Sequence, residues 1–543
     1  MFFKNTIRFL LLLALIFFTF ACDSSTDKAE NKAPEAKAEV SEALPLTTTV
    51  AVTGGTIEGV EQDGILIYKG IPFAAPPVGD LRWKAPAPVL PWTGVKKADA
   101  FCSACMQASG AMGNTAPVGE DCLYLNVWTP AKKADEKIPV IFWIHGGGYS
   151  GGSTSTPMYD GTGFAKKGVV FVSVAYRLGP FGFLAYPELS SESGHGSGTY
   201  GMLDMIAGLK WVKDNISRFG GDPAKVTIFG HSAGGGAVSI LAASPLTKDL
   251  MNGVICMSGG SFTPLQTSKQ TSIGMGIPSL EFAESTGIDF LKDLGVSNIK
   301  EARALSAEDI QKKQKSGFGG MIFTPAADGY VISDDLYSLY EAGKFNDTPV
   351  LLGHTSDEMG ALGGNQDTTA QQFVQQIKTQ YGPYADVFLN AYPHSTDAAA
   401  ARAAKDLRND TFTWNSLAWS RLQTGNGKNK AYQYYFDYHP NSPDGGSGHG
   451  SDVPYAFQTL GGGPAGKPDE EDLKLSDMIS SYWINFAKTG DPNGQDLQDW
   501  PVFSEDDLKV MIFDVNPSAR PLPIIDRLKA FDAYFSGLRD KNK

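Results

Sequence analysis

Five short runs of strand length punctuate the chain: Ile138 to Ile144, Val169 to Val174, Lys225 to Phe229, Val254 to Met257 and Pro349 to Leu352. Lys225 to Phe229 alternates polar and apolar positions and stops at Gly230, while the others are almost unbroken apolar runs. Unbroken runs of this length predict strands covered on both faces, as in a parallel sheet. Helical periodicity lies between them. Its clearest instance is Met202 to Ile216, where Leu203, Ile206, Leu209, Val212, Asn215 and Ile216 fall close to one face. Strands alternating with helices predict an α/β fold around a mostly parallel sheet. The stretch 265–340 has weaker strand signals and reads as an insertion near the site. The stretch 367–430 is helical in composition, and glycine-rich 440–452 and 461–466 read as loops.

The N-terminus has a different pattern. Lys4 and Arg8 precede an apolar run, Phe9 to Phe18, that is too short to cross a bilayer as a helix. Residues 1–21 therefore read as a signal peptide. Thr19-Phe20-Ala21-Cys22 resembles a lipoprotein processing site, at which Cys22 becomes lipidated and anchors the protein to a membrane. The match is imperfect, because such a site usually carries Leu where Thr19 stands and a small residue where Phe20 stands. Plain secretory cleavage nearby is the alternative. Both readings export the mature protein, either to the cell envelope or as a secreted form. Residues 22–46, poor in apolar side chains and rich in Ala, Glu, Lys and Ser, read as a flexible tether. Residues 47–543 then read as one large unit with no later membrane-spanning pattern.

Composition narrows the function. A 42% hydrophobic content over 543 residues supplies a large core, so the bulk of the chain is globular. The formal charge of -13 has the wrong sign for a nucleic-acid partner. The cysteines are Cys22, Cys102, Cys105, Cys122 and Cys256. An exported protein is free to form disulfides. Cys256 lies in an apolar run and reads as a free core thiol. No Cys/His spacing suggests a zinc site, so neither a metal nor a cofactor is expected.

Gly230-His231-Ser232-Ala233-Gly234 matches G-x-S-x-G, and so does Gly148-Tyr149-Ser150-Gly151-Gly152. Mechanics separate them. A nucleophile elbow needs a strand ending at the first Gly and a helix starting after the Ser. Ser232 has both, with Lys225 to Phe229 before it and small, helix-compatible Ala233 to Ala243 after it. Ser150 sits among glycines, serines and threonines with no helix to follow, and reads as a loop residue. His145-Gly146-Gly147-Gly148 follows the strand 138–144. Acyl transfer builds negative charge on the former carbonyl oxygen, and backbone N–H groups stabilise it. Gly147 and Gly148, joined by Ala233, are the expected oxyanion donors.

Serine needs a base. Of the seven histidines, a late one fits the order Ser, acid, His. His449, in a glycine-rich loop able to reach over the sheet, is preferred to His394 and His439. His231 diverges from its neighbour Ser232 and reads as a pocket wall, while His145 reads as support for the oxyanion turn. The acid should follow strand 349–352, where Asp357 and Glu358 both qualify on mechanics.

The chain resembles the type-B carboxylesterase family, which includes bacterial esterases and the cholinesterases. The resemblance rests on several runs: Tyr68 to Pro77 with Leu81-Arg82-Trp83, Glu120 to Val127, Trp143 to Gly148, and Tyr176-Arg177-Leu178-Gly179. It continues through Asn215 to Pro223, Phe229 to Gly235, His449 with Pro454-Tyr455, and Tyr482-Trp483 to Gly494. It implies an α/β-hydrolase fold whose insertions form an active-site gorge, and a Ser–Glu–His triad of Ser232, Glu358 and His449. It also implies a disulfide ending at Cys122, with Cys105 as partner and Cys102 as rival, and a place for Ser258 behind the triad. The expected activity is hydrolysis of small to medium carboxylic esters through an acyl-enzyme. A non-catalytic surface-binding module of the same fold, or a lipase, carbamate or xenobiotic hydrolase, is the alternative. Two departures stand out. Met359 is inserted into the family's Asp-Glu-Gly run, and His231 replaces the usual Glu before the nucleophile. In cholinesterases that Glu helps hold a cationic substrate, so its loss argues against choline esters.

Overall fold

Alternation within the apolar runs sends successive side chains to opposite faces of a sheet. Val140, Phe142 and Ile144 enter one hydrophobic cluster, while Ile141 and Trp143 enter another. Both faces are therefore buried, which explains why these strands lack the polar alternation of a half-exposed sheet. The computed structural model describes residues 45–268, 276–314, 323–360, 368–440, 445–461 and 467–542. The signal segment, Cys22 and the tether up to residue 44 lie outside them, as do 441–444 and 462–466 of the two glycine-rich loops.

Among the described residues the central sheet has eleven strands. They are β1 (Val60–Gln62), β2 (Ile65–Pro72), β3 (Tyr124–Thr129), β4 (Ile138–Ile144), β5 (Val170–Val174) and β6 (Gly221–His231). They continue as β7 (Gly253–Met257), β8 (Val350–Thr355), β9 (Ala431–Phe436), β10 (Lys509–Phe513) and β11 (Ser518–Pro521). The spatial order is β11-β10-β9-β8-β7-β6-β4-β5-β3-β2-β1. Strands β5, β4, β6, β7, β8, β9 and β10 run parallel, and antiparallel strands complete both edges.

Helices cover both faces. They include α1 (Tyr200–Asn215), α2 (Ala233–Ala243), α3 (Leu280–Leu294), α4 (Ala370–Tyr381), α5 (Asp397–Asn426), α6 (Val453–Phe457), α7 (Glu470–Thr489) and α8 (Ile525–Asn542). Leu209 and Val212 of α1 and Leu241 of α2 belong to one cluster; Ile479, Trp483 and Phe486 of α7 belong to the other. The described part of 265–340 adds no strand to the central sheet and contributes α3 with three shorter helices. No helix among the described residues is long and apolar enough to cross a membrane. Because the core strands are parallel, β6, β8 and β9 end on one edge. Ligands of parallel α/β sheets bind at that edge, and each of these strands leads there into a segment carrying a candidate residue.

Candidate active site

Ser232 is the residue between β6 and α2, with φ 57° and ψ -121°. That is a strained conformation for a residue with a side chain, and it turns the hydroxyl out of the strand. The flanking glycines are steric necessities. A Cβ at Gly230 would lie 2.1 Å from the Gly234 carbonyl oxygen, and one at Gly234 would lie 2.1 Å from the Ile144 carbonyl oxygen. The Ser232 N–H donates to Met257 O at 2.9 Å, tying the elbow to the end of β7. Ser150 lies in the turn after Gly148, where its hydroxyl donates to Gly147 O at 3.3 Å.

His449 reaches Ser232 as the sequence suggests, with Nε2 2.8 Å from the hydroxyl oxygen. Its Nδ1 bonds the Glu358 carboxylate through Oε2. The second carboxylate oxygen, Oε1, accepts the Thr355 N–H at 2.8 Å. Of the two candidate acids, Glu358 is the one that meets His449. Asp357 points elsewhere, accepting from Lys405 Nζ at 2.6 Å and from Gly360 N at 3.1 Å. It acts as a loop clamp, and its backbone N–H holds the histidine loop through Ser447 O at 2.9 Å. The inserted Met359 is accommodated, its N–H bonded to Asn409 Oδ1 at 2.7 Å. His394 Nδ1 lies 2.8 Å from Tyr392 O, and His439 lies 3.2 Å from Asp437, so neither takes the place of His449.

The candidate oxyanion turn is built around Gly147, at φ 115°, and Gly148, at φ 61°. Among the described residues, neither glycine donates its N–H to another backbone carbonyl in this loop. Ala233 begins α2, whose N-terminal partial charge adds to the field. His145 supports the turn. Its ring stacks on Tyr176 at 4.5 Å, and its carbonyl accepts the Tyr176 hydroxyl at 2.9 Å. Burial pushes His145 down to about 4, so the ring is neutral. Gln107 grips the far end of the turn. Its Oε1 accepts the Gly152 N–H at 2.9 Å, and its Nε2 donates to Gly152 O at 2.8 Å. Cys105, two residues before it, is disulfide-bonded to Cys122, while Cys102 and Cys256 are free thiols. Cys102, the rival, faces Gly70 O at 3.9 Å.

The surroundings tune the charges. Burial opposes a charged Glu358, but the His449 ring, the Ser258 hydroxyl and the neighbouring His354 outweigh it and hold the carboxyl well below its usual range. The Ser258 N–H is donated to Gly353 O at 2.8 Å. Three features have no sequence signal of their own. Gln107 was visible only as a neighbour of Cys105. Phe412 of α5 lies 5.4 Å from the His449 ring. Asp452, three residues after His449, is buried and accepts the Tyr434 hydroxyl at 2.7 Å. Burial pushes its carboxyl up to about 7. Among the described residues no group of three or more His, Cys, Asp or Glu is placed to hold a metal ion.

A serine hydroxyl turned out of its strand, a histidine bonded to it, a buried carboxylate bonded to that histidine and backbone N–H groups nearby suit acyl transfer. Comparisons with known proteins agree. The model of the carboxylesterase family matches residues 46–529. A fumonisin B1 esterase from Sphingopyxis macrogoltabida is 36% identical over 469 residues, covering 83% of this chain and 83% of the relative. The para-nitrobenzyl esterase of Bacillus subtilis strain 168 is 34% identical, covering 85% of this chain and 93% of the relative. Among solved structures, a PNB esterase superposes with a TM-score of 0.77 at 31% identity, covering 89% of this chain and 99% of that chain. The Geobacillus stearothermophilus carboxylesterase EST55 does so with a TM-score of 0.76 at 30% identity, covering 89% and 99%. Carrying the α/β-hydrolase fold of these esterases and matching their family model over most of its length, this chain belongs to the carboxylesterase family.

Proposed function

We propose that this carboxylic ester hydrolase works as a serine esterase in which Ser232 attacks, His449 moves the proton and Glu358 orients His449. His449 takes the Ser232 proton as the hydroxyl oxygen bonds the ester carbonyl carbon. The resulting oxyanion faces the N–H groups of Gly147, Gly148 and Ala233. Imidazolium then protonates the departing alcohol, leaving an acyl-Ser232. Water repeats the cycle, giving its proton to His449 and releasing the acid. Glu358 stays ionised and stabilises the imidazolium. The single observation that carries this reading is the bridge of His449 from Ser232 Oγ, at 2.8 Å from Nε2, to Glu358 at Nδ1. The names of the relatives, a fumonisin B1 esterase and a para-nitrobenzyl esterase, support an ester substrate, read here as a small to medium carboxylic ester.

Hydrolysis of p-nitrophenyl acetate, butyrate and octanoate beside Ser232→Ala tests this reading. Turnover by the native protein with loss in the variant supports it. Equal, slow rates from two folded proteins reopen the non-catalytic reading. Emulsified against soluble esters separates a lipase from an esterase.

Export with anchoring through a lipidated Cys22 belongs to the same proposal. The charged and apolar N-terminal pattern supports it, as does the Cys105–Cys122 disulfide, which suits an oxidising compartment. Cys22→Ala should move the esterase from the membrane fraction to the soluble one. An unchanged distribution would leave plain secretory cleavage as the better reading.

A further inference from the structure

His231 ends β6 immediately before Ser232 and is 7% exposed. Its ring lies between the two loops that complete the site. On one side is Gly146, which opens the oxyanion turn. A Cβ there would lie 3.2 Å from His231 Nδ1 and 2.9 Å from Ser232 Cβ. On the other side is Gly450, next to His449. A Cβ there would lie 3.0 Å from His231 Cε1 and 3.2 Å from Nε2, and its φ of 79° disfavours any side chain. The His231 and His449 rings are 4.7 Å apart, centre to centre. His231 Nε2 is buried with no hydrogen-bond partner among the described residues. Burial, then the neighbouring His449, pushes His231 down to about 3, so it stays uncharged wherever the enzyme works.

We infer that His231 is a positioning residue, an uncharged wedge that spaces the oxyanion turn from the base loop and keeps one flank of His449 free of negative charge. A carboxylate at this place would instead put a negative charge against that flank. The inference rests on the triad reading of Ser232, His449 and Glu358.

The other groups around His449 set the background. Glu358 meets it from the loop after β8, with His354 of β8 beside that carboxylate. Ser232 meets it from the elbow, and Phe412 packs on it from α5. The charge of Asp357 is balanced by Lys405 of α5 at 2.6 Å. Asp452, the residue preceding α6, acts on His449 through space and is bonded to Tyr434 of β9. All of these are shared by every variant of position 231, so a change there isolates one flank.

The test is kcat and KM on p-nitrophenyl acetate from pH 5 to 9, with the full chain, for native protein, His231→Gln, His231→Glu and His231→Asp. Near-UV circular dichroism checks each fold, and Ser232→Ala is run beside them. His231→Gln, uncharged but a poorer filler, should lower kcat a few-fold with the acid limb where the native protein has it. His231→Glu should raise the midpoint of that limb by about one unit or more, since an opposite charge within about 4–6 Å stabilises the imidazolium. His231→Asp should shift it in the same direction if Glu does not fold. A folded carboxylate variant with the native midpoint would overturn the inference, as would His231→Gln shifting as far as His231→Glu. Undiminished activity in Ser232→Ala would instead overturn the triad reading beneath it.

Discussion

At the scale of single residues, adjacent carboxylates receive opposite assignments. Glu358 bonds His449, while Asp357 ties the Glu358 loop to Lys405 and to Ser447. Glu358→Gln should therefore lower kcat by roughly 10⁴, because the amide cannot support the imidazolium. Asp357→Asn should act through the loop instead, costing thermal stability with a smaller loss of kcat, read from paired melting and kinetic measurements. Sequence mechanics alone left the two acids open, since Asp and Glu side by side have the same chemistry and only the loop decides which one turns inward. The family resemblance points to Glu358, and Glu358 is the carboxylate that bonds His449 despite the inserted Met359. Ser232 was legible because an elbow needs a strand, a tight turn and a helix in order, and all three are written in the chain. Asp452 was not legible. An acidic residue in a loop is indistinguishable from a solvated one until Tyr434 is seen to enclose it.

At the scale of elements, glycines permit the contacts that build the site. Gly234→Ala would place a Cβ 2.1 Å from Ile144 O, which neither β4 nor α2 can relieve by moving alone. It should destabilise by about 3 kcal/mol, the upper part of the overpacking range, and remove activity with it. Calorimetry beside the ester assay reads both. The Cys105–Cys122 link closes a segment whose Gln107 holds Gly152 at the end of the oxyanion turn. Cys105→Ser with Cys122→Ser should cost roughly 3 kcal/mol through chain entropy. It should also lower kcat more than it alters KM, because the donors that loosen act on the transition state. Activity lost only in step with unfolding would argue for a purely structural link. The core strands β4 to β8 were legible as apolar runs, with bounds shifted by a few residues. The edge strands β1, β2, β3 and β11 were not, nor were β9 and β10. Runs such as Tyr68 to Pro77 were visible as family motifs but have mixed polarity, and pairing with a neighbour rather than periodicity makes them strands.

At the scale of the whole molecule, buried ionisable groups link stability to pH. His145, His231 and His354 are pushed by burial down to about 4, 3 and 4. In the unfolded chain each would bind a proton below about pH 6.5. The unfolded state then holds more protons, so stability is full above that pH and falls as the pH drops toward 4. Glu358, held low in the folded state, adds a further loss at more acid pH. Asp452, pushed up to about 7, works the other way, and its cost to the fold grows as pH rises toward neutrality. The melting temperature should therefore fall continuously from pH 6.5 to pH 4, a trend read by a fluorescence melt across buffers. A flat profile would mean that the histidines are more hydrated than their burial indicates. The fold class was legible as a whole because strands and helices alternate along the chain, whereas the N-terminal export pattern is a separate question from the catalytic unit. In the proposed mechanism one serine out of the whole chain, Ser232, is activated by His449 and Glu358. The direct measurement is peptide mapping after a fluorophosphonate reagent is applied to the native protein and to His449→Ala. The expected result is one adduct per chain, on the peptide carrying Ser232, with loss of esterase activity in step and with labelling slowed by orders of magnitude in His449→Ala. An adduct on another serine, or activity persisting after Ser232 is fully modified, would contradict it.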